Sequence, residues 1–207
     1  MTAFTEHQGL PEQQGLRERK KARTRASLRE HALRLFREQG YQATTIEQIA
    51  AAAEVSPSTF FRYYPTKEDL VLQDEFDARV FEAFERQPLD VPPIAAIRAA
   101  LQAGFATLTP AELDELALTS ALTHEVPEIR ARSLEEFNRT IRRMTEALAK
   151  RTGRTADDIA VRAFTGAVFG IIMTVTMHGE PGELAVGPDM FERIDDALAL
   201  LAAGLPL

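Results

Sequence analysis

The residues with the clearest potential for chemistry lie between Thr45 and Lys67, in the sequence TIEQIAAAAEVSPSTFFRYYPTK. This segment predicts two short helices joined by a tight turn, the second beginning at Ser56. Small and hydroxyl side chains at the start of the second helix let its backbone approach base edges. Arg62 and Tyr63 follow one turn later and can bond guanine and phosphate. The pattern therefore predicts a helix-turn-helix that reads the major groove of double-stranded DNA.

A basic run, LRERKKARTR over residues 16–25, stands directly before this segment. We expect it to be a flexible arm that follows phosphates or enters the minor groove, and a solvated face or tail is the alternative. Its candidate contacts are Arg17, Arg19, Lys20, Lys21 and Arg23.

The formal net charge of −7 is distributed unevenly along the chain. Residues 17–67 carry 11 Lys and Arg against 5 Glu, a local charge of +6, whereas the remainder carries 13 against 26, a charge of −13. Salt screens exposed charges beyond roughly 10 Å, so only the local sign matters at a DNA surface. The distribution is typical of a protein that contacts DNA at one end only.

The sequence lacks the residue patterns typical of enzymes, metal sites, membrane spans and secreted proteins. Cysteine is absent, which excludes disulfides, thiolate metal sites and cysteine nucleophiles. The four histidines form no paired metal motif, and neither a phosphate-cradling glycine loop nor a nucleophile elbow occurs, so we expect no catalytic site, metal or cofactor. Arg162, threonines and two glycines interrupt the longest apolar run, over 160–177, so we expect no membrane span. The N-terminus lacks an apolar signal core, which predicts a cytoplasmic protein.

Apolar residues recur at helical spacing through the chain, and no segment alternates like a strand. We predict an all-α fold of about nine helices, with a three-helix helix-turn-helix head on a helical-bundle regulatory and dimerisation body. The predicted domains are a disordered tail over residues 1–16, a DNA-binding domain over 17–67, and a ligand-binding and dimerisation domain over 68–207. The first helix is expected over residues 23–39 and the fourth over 67–87, and Thr155 is expected to cap the eighth.

Residues 20–70 resemble the N-terminal domain of the TetR family of bacterial transcription regulators. A basic first helix, a threonine-led second helix, a short aromatic recognition helix and the start Pro65-x-Lys67-Glu68-x-Leu70 occur in the family's order and spacing. The resemblance implies groove or phosphate contacts from Thr45, Glu47, Pro57, Ser58, Thr59, Phe61, Arg62, Tyr63 and Lys67.

Three positions depart from the family pattern. Phe61 replaces a common tyrosine and removes a phosphate-bonding hydroxyl, for which Tyr63 could compensate. Ser58 stands where glycine is frequent. Glu54 replaces a glycine of the turn, and a left-handed backbone there would cost roughly 1–2 kcal/mol, so we expect the turn to differ slightly.

The resemblance also implies a homodimer joined through the last two helices and a small-molecule pocket among the middle ones. The predicted eighth helix is apolar on nearly all sides, which suits a dimer interface or, alternatively, a central position in a monomer. The interface candidates are Gly166, Gly170, Phe191, Ile194, Leu198 and Leu201. The pocket candidates, for which ordinary core packing is the alternative, are Phe105, Leu108, Leu122, Thr123, His124, Phe137, Asn138, Ile141, Phe164, Val168, Met173, Thr174 and His178.

Residues 122–141, LTHEVPEIRARSLEEFNRTI, also resemble the body of a TetR subgroup that includes the mycofactocin-associated regulators. Some members of that subgroup respond to acyl-CoA-like compounds, which implies an acyl-type inducer. The leading interpretation is a homodimeric repressor released from a palindromic operator by a small hydrophobic molecule. A transcription activator of the same family and a helical scaffold with non-specific DNA tethering are the alternatives.

Overall fold

The computed structural model describes residues 10–72, 76–177 and 188–206. All regular secondary structure in these ranges is helical, which confirms the all-α prediction. The helices are α1 (Leu10–Gln39), α2 (Ile46–Ala52), α3 (Pro57–Tyr63), α4 (Asp69–Leu72), α5 (Phe76–Glu85), α6 (Pro93–Ala106), α7 (Pro110–Glu125), α8 (Pro127–Thr152), α9 (Ile159–Met177) and α10 (Pro188–Ala202). Both α4 and α5 fall within the single fourth helix expected from the sequence.

The first helix is longer than the sequence analysis predicted. It begins at Leu10, so residues 10–16 of the expected tail are helical, and the basic run lies on a helix rather than on a flexible arm. The physical reason is composition, because Gln, Glu, Arg, Lys and Ala all have high helix propensity. The rest of the expected tail, residues 1–9, lies outside the described residues.

The chain divides into two units, residues 1–70 and 71–207. In the first unit, which we call the head, α1 packs on α2 and α2 packs on α3. Its buried side chains include Leu28, Phe36, Ile49, Phe60 and Tyr64. Helix α1 therefore holds α2, and α2 in turn holds α3.

In the second unit, which we call the body, α6 packs on α5 and α10, and α9 packs on α8 and α10. Gly104 permits the close approach of α6 to α5, because a Cβ atom at this position would lie 2.7 Å from Cγ2 of Val80. The Arg151 side chain ties α8 to the loop after α5 by donating to the carbonyl oxygens of Gln87, Pro88 and Val91. These contacts surround a core of apolar side chains from α5, α6, α8, α9 and α10.

Helix α9 corresponds to the predicted eighth helix, and it differs from that prediction at both its start and its surface. Its cap is Asp158 rather than Thr155, since the Ala160 N–H donates to Asp158 Oδ1 at 2.8 Å. Arg162, the threonines and the two glycines do not shorten the apolar run as expected, because the window Ile159–Thr176 has a mean hydropathy of 1.8 and is long and apolar enough, by length and composition only, to cross a membrane. Only 22% of that window is buried inside the chain. An apolar helix with so much free surface needs a further covering, which a protein partner can supply.

Candidate DNA interface and effector cavity

Hydrogen bonds fix the starts of α2 and α3 at the predicted residues. Thr45 caps α2 in a reciprocal pair, in which its hydroxyl accepts from the Gln48 N–H and the Gln48 side chain accepts from the Thr45 N–H. Ser56 caps α3 by accepting from the Thr59 N–H at 3.1 Å, and Pro57 occupies the first helical position. Both caps follow from local sequence, because hydroxyl residues favour this position and proline loses no helical hydrogen bond there.

The turn between α2 and α3 is left-handed at Glu54, where φ is +54°. The Val55 N–H donates to the Ala50 carbonyl at 2.9 Å, and the Glu54 N–H donates to the Ala51 carbonyl at 3.1 Å. This pairing satisfies the last carbonyls of α2 in the way that a glycine usually allows. The chain therefore keeps the left-handed turn with glutamate at its strained position, and the expected alteration of the turn is not seen there.

Two aromatic side chains orient α3. Phe60 is fully buried and Tyr64 is 1% exposed, and the Tyr64 hydroxyl donates to the Arg25 carbonyl at 3.2 Å. Phe61 packs edge-on against Phe60 with 5.4 Å between ring centres and keeps 51% of its surface exposed. The opposite face of α3 is therefore directed to solvent by a buried anchor on each turn.

The solvent face of α3 carries the predicted reading residues. Pro57, Ser58, Phe61 and Arg62 are exposed, and Thr59 and Tyr63 are half-buried. The Ser56 hydroxyl lies 2.8 Å from that of Ser58 and 3.0 Å from that of Thr59, and the Arg62 guanidinium lies 5.1 Å from the centre of the Tyr63 ring. Ser56, predicted only as a helix start, thus orders two candidate reading hydroxyls.

The other predicted contacts sit on helix surfaces of the head. Arg17, Arg19, Lys20, Lys21 and Arg23 are exposed on α1, where the Arg19 guanidinium donates to the Gly15 carbonyl at 3.2 Å. Thr45 and Glu47 are exposed at the start of α2. The exposed cations of α1 and the N–H groups at the start of α2 both suit phosphate oxygens.

Lys67 lies differently from the other cations of the head. Its ammonium donates to the carbonyl oxygens of Tyr41 at 2.9 Å and Thr44 at 3.0 Å, and it lies 3.9 Å from the centre of the Tyr41 ring. The Tyr41 hydroxyl donates to Glu68 Oε1 at 2.6 Å. Burial raises the pKa of Glu68, but hydrogen bonds from Tyr41, its own N–H and Thr66, together with the Lys67 charge, outweigh burial and lower it. Tyr41 carried no signal in the sequence beyond its apolar character.

The body contains an apolar cavity of about 160 Å³. Its lining comes from α5, α6, α8, α9 and α10 and includes five phenylalanines, Phe76, Phe81, Phe84, Phe105 and Phe169. Asp77 and two threonines, Thr140 and Thr176, are the polar residues among the lining that the structure describes. The Thr176 hydroxyl already donates to the Ile172 carbonyl at 2.9 Å. Such a cavity favours a ligand that is mainly apolar.

Comparisons with known proteins decide the family. Residues 28–73 match the family model described as bacterial regulatory proteins, tetR family, and residues 91–206 match the model described as MftR C-terminal domain. The chain is also 37% identical over 153 residues to the HTH-type transcriptional regulator TcmR of Streptomyces glaucescens, covering 70% of this chain and 68% of TcmR. The chain belongs to the TetR family.

Solved TetR family structures share this fold. The repressor FadR of Thermus thermophilus, in complex with lauroyl-CoA, has a TM-score of 0.57 and 25% identity over 88% of this chain and 95% of its own. The fatty acid degradation regulator FadR of Bacillus halodurans has a TM-score of 0.55 at 20% identity, over 88% of this chain and 96% of its own. TetR family regulators are soluble DNA-binding proteins that usually act as dimers with small-molecule effectors, and they are not enzymes. This chain is therefore a DNA-binding transcriptional regulator.

The predicted pocket of this TetR family chain is only partly the observed cavity. Phe105 and Val168 line it. Leu108, Leu122, Thr123, His124, Phe137, Asn138, Ile141, Phe164, Met173 and Thr174 are not among its lining, and His178 lies outside the described residues. Phe137 does not line the cavity but packs behind the lining residue Phe169, edge-on with 5.5 Å between ring centres. Five helices each contribute one stripe to this cavity, and spacing along a single helix does not say which stripe faces it.

The predicted dimer residues divide into two sets. Ile194 and Leu198 are 2% and 0% exposed in the single chain, so their assignment to the interface is wrong, because this stripe of α10 packs on its own body. Phe191 and Leu201 also pack against that core, and the Phe191 ring lies 5.3 Å from the Phe105 ring. Gly166 and Gly170 are exposed on α9, and a Cβ atom at either would meet nothing within 4 Å. The open surface is therefore on α9.

Proposed function

We propose that this TetR family regulator is a homodimeric repressor that binds a palindromic operator and is released by a small apolar effector, held in the cavity of the body. The observation that carries the proposal is that cavity of about 160 Å³, whose lining comes from five helices and includes five phenylalanines. Filling it stabilises one state of the body over another only if the ligand binds that state better. A tenfold loss of operator affinity requires roughly 1.4 kcal/mol of such coupling.

DNA binding is assigned to the exposed face of α3 together with the exposed cations of α1 and the start of α2. Ser58, Thr59, Arg62 and Tyr63 are the groups for base edges and phosphates, and Phe61 offers an apolar surface to a thymine methyl group. Replacing Thr59 or Tyr63 with alanine should weaken specific binding by about 1–3 kcal/mol for each hydrogen bond to a base edge that the change removes. Unchanged affinity in both variants would mean that another face reads the DNA.

The homodimer is assigned to the free surface of α9. This helix is apolar, yet only 22% of the window Ile159–Thr176 is buried in the single chain, and two exposed glycines leave room for a close helix approach. A symmetric dimer also places two reading heads on successive turns of DNA, roughly 34–36 Å apart, which accounts for a palindromic operator. Light scattering at the monomer mass of 23.0 kDa would refute this interface.

An acyl-type effector is the ligand class that we infer for the cavity. Support comes from the apolar lining and from the lauroyl-CoA complex of the Thermus thermophilus FadR, at 25% identity. We expect lauroyl-CoA, but not coenzyme A alone, to lower operator affinity in a fluorescence anisotropy titration at constant salt. If neither compound released the protein from DNA, the inference of an acyl-type effector would be contradicted.

A matched pair of variants tests the site of that effector. Val168 lines the cavity and is 1% exposed, so Val168→Phe should fill the space and leave operator binding insensitive to lauroyl-CoA. Gln102 is exposed on α6 and outside the lining, so Gln102→Phe should respond like the unsubstituted protein. Equal responses from the two variants would mean that the effector binds at another site.

A further inference from the structure

The side chain of Lys67, the first cation after α3, forms hydrogen bonds within the head. Lys67 places two of its three ammonium N–H groups on the carbonyl oxygens of Tyr41 and Thr44, at 2.9 and 3.0 Å. The ring of Tyr41 lies against the same ammonium at 3.9 Å. Exposed lysines that follow a DNA backbone need their donors and their charge directed to solvent, whereas these donors point to the chain.

The acceptors of Lys67 lie in the turn that positions α2. Thr44 precedes the cap residue Thr45, and its side chain is buried at 1% exposure, with its hydroxyl donating to the Gly40 carbonyl at 2.8 Å. The Gln39 amide reaches the Thr44 hydroxyl at 3.1 Å and the Gln48 side chain at 3.0 Å. The turn to which Lys67 binds is thus joined by hydrogen bonds to the first turn of α2.

The residue after Lys67 holds the other end of the same tyrosine. The Tyr41 hydroxyl donates to Glu68 Oε1 at 2.6 Å. The surroundings lower the pKa of Glu68 and so keep its carboxylate ionised, which makes this hydrogen bond charge-assisted. Tyr41 is therefore held at its carbonyl and ring by Lys67 and at its hydroxyl by Glu68. We call this arrangement of Tyr41, Lys67 and Glu68 the clasp. It joins the turn before α2 to the residues that follow α3, and so links the two ends of the helix-turn-helix.

We propose that Lys67 supports operator binding as a positioning residue, by closing the helix-turn-helix through the clasp, and not as a contact to a DNA phosphate. Moving the ammonium to a phosphate would break both carbonyl hydrogen bonds and separate the ammonium from the ring. The clasp instead holds the turn before α2 against the segment after α3. A reading helix held in one orientation binds DNA with less loss of conformational freedom.

The salt dependence of binding separates the two roles. A duplex selected from a random pool by the wild-type protein is titrated over a series of salt concentrations, at a temperature where every variant is folded by circular dichroism. Lys67→Met should weaken binding about tenfold at every salt concentration and leave the log–log salt slope unchanged. The matched control Lys21→Met removes an exposed α1 cation and should reduce the slope by about 0.9 for each protomer that contacts a phosphate.

Two further variants probe the clasp without removing charge. Tyr41→Phe deletes only the hydroxyl that donates to Glu68, and it should weaken binding in the same direction with an unchanged slope. Lys67→Arg keeps the charge but replaces the compact ammonium with a planar fork, which cannot reproduce the two carbonyl bonds and the ring contact. It should therefore bind less tightly than wild type, and Tyr41→Phe combined with Lys67→Met should cost less than the sum of the single changes.

Three results would overturn the proposal. A slope that falls in Lys67→Met, with wild-type binding in Tyr41→Phe, would make Lys67 a phosphate contact. Variants that melt at lower temperature but bind like wild type would make the clasp a contribution to stability alone. Wild-type affinity in Lys67→Arg would show that charge, and not the clasp geometry, is what binding requires.

Discussion

The reading helix α3 and the body helix α9 expose surfaces of opposite chemistry. Helix α3 has seven residues, two caps and a fully buried Phe60, and its free face carries hydroxyls, a guanidinium and two rings. Helix α9 has 19 residues and a mean hydropathy typical of a membrane span, and its free face carries Gly166 and Gly170. Each surface therefore selects a different kind of partner, because polar groups at the head suit DNA and an apolar helix suits another protein surface.

The largest expected effect concerns the buried anchor of α3. Phe60→Ala should lower the free energy of unfolding by about 3–5 kcal/mol, because the Phe60 side chain is fully buried and leaves a cavity. Chemical denaturation followed by circular dichroism measures the loss. Phe61→Ala is the matched control, since its ring is 51% exposed. That variant should change stability by under about 1 kcal/mol and mainly weaken DNA binding. Comparable destabilisation by both variants would contradict the orientation of α3.

The next effect compares two glycines of the body. Gly104→Ala should cost about 1–3 kcal/mol of stability, because its new methyl group would lie 2.7 Å from Val80 Cγ2 and wedge α6 from α5. Gly166→Leu has open space in the single chain and should leave protomer stability unchanged or higher, while shifting the proposed dimer towards monomer. Denaturation and concentration-dependent light scattering measure the two outcomes. A dimer that tolerates Gly166→Leu would place the interface elsewhere.

A smaller effect depends on pH. The two N–H groups of Arg98 donate to Asp195 at 2.7 Å each, joining α6 to α10. The Arg98 hydrogen bonds lower the pKa of Asp195 below its ordinary value, against burial and with help from the Arg98 charge. Because that pKa is depressed in the folded state, the stabilisation is present above about pH 4 and is lost as pH falls through the folded-state value.

The variant Asp195→Asn tests this ion pair. At pH 7 it should be less stable than wild type by about 1 kcal/mol at most, since the pair is partly exposed. The difference should shrink in denaturation experiments below about pH 3, roughly one unit under the ordinary aspartate pKa. A difference that stays constant between neutral and acidic pH would mean that packing, and not charge, joins the helices here.

The smallest effect concerns the turn before α3. Glu54→Gly should raise stability by up to about 1 kcal/mol, because glycine adopts the left-handed backbone at φ +54° without strain. Glu47→Gly is the control, since this residue sits in the first turn of α2 with helical backbone, and it should lower stability by about 1 kcal/mol. Thermal unfolding of the two variants in opposite directions is the expected outcome.

Local signals made the head predictable from sequence. The helix starts at Thr45 and Ser56 depend on residues within a few positions of one another, and the structure confirms them. The start of α1 was missed, because charge composition indicated an arm where helix propensity decides the structure. The clasp was missed as well, because Tyr41 and Glu68 are 27 residues apart.

The body was less predictable, because its features depend on which helices meet. Ile194 and Leu198 lie on a buried face of α10, but their spacing does not state whether the covering surface is the same chain or a partner. The cavity draws on five helices, so only Phe105 and Val168 of the predicted pocket residues line it. Sequence periodicity predicts that a face is covered, and only the packed structure identifies the cover.

We propose above all that the face of α3 reads a specific palindromic sequence for a dimeric regulator. The most direct measurement is a titration of wild-type protein against a selected palindromic duplex and a scrambled duplex of equal length and composition, at one fixed salt concentration. We expect at least about a thousandfold tighter binding to the palindrome, saturating at two protomers per duplex. Equal affinity for the two duplexes would contradict it and would favour a non-specific DNA tether.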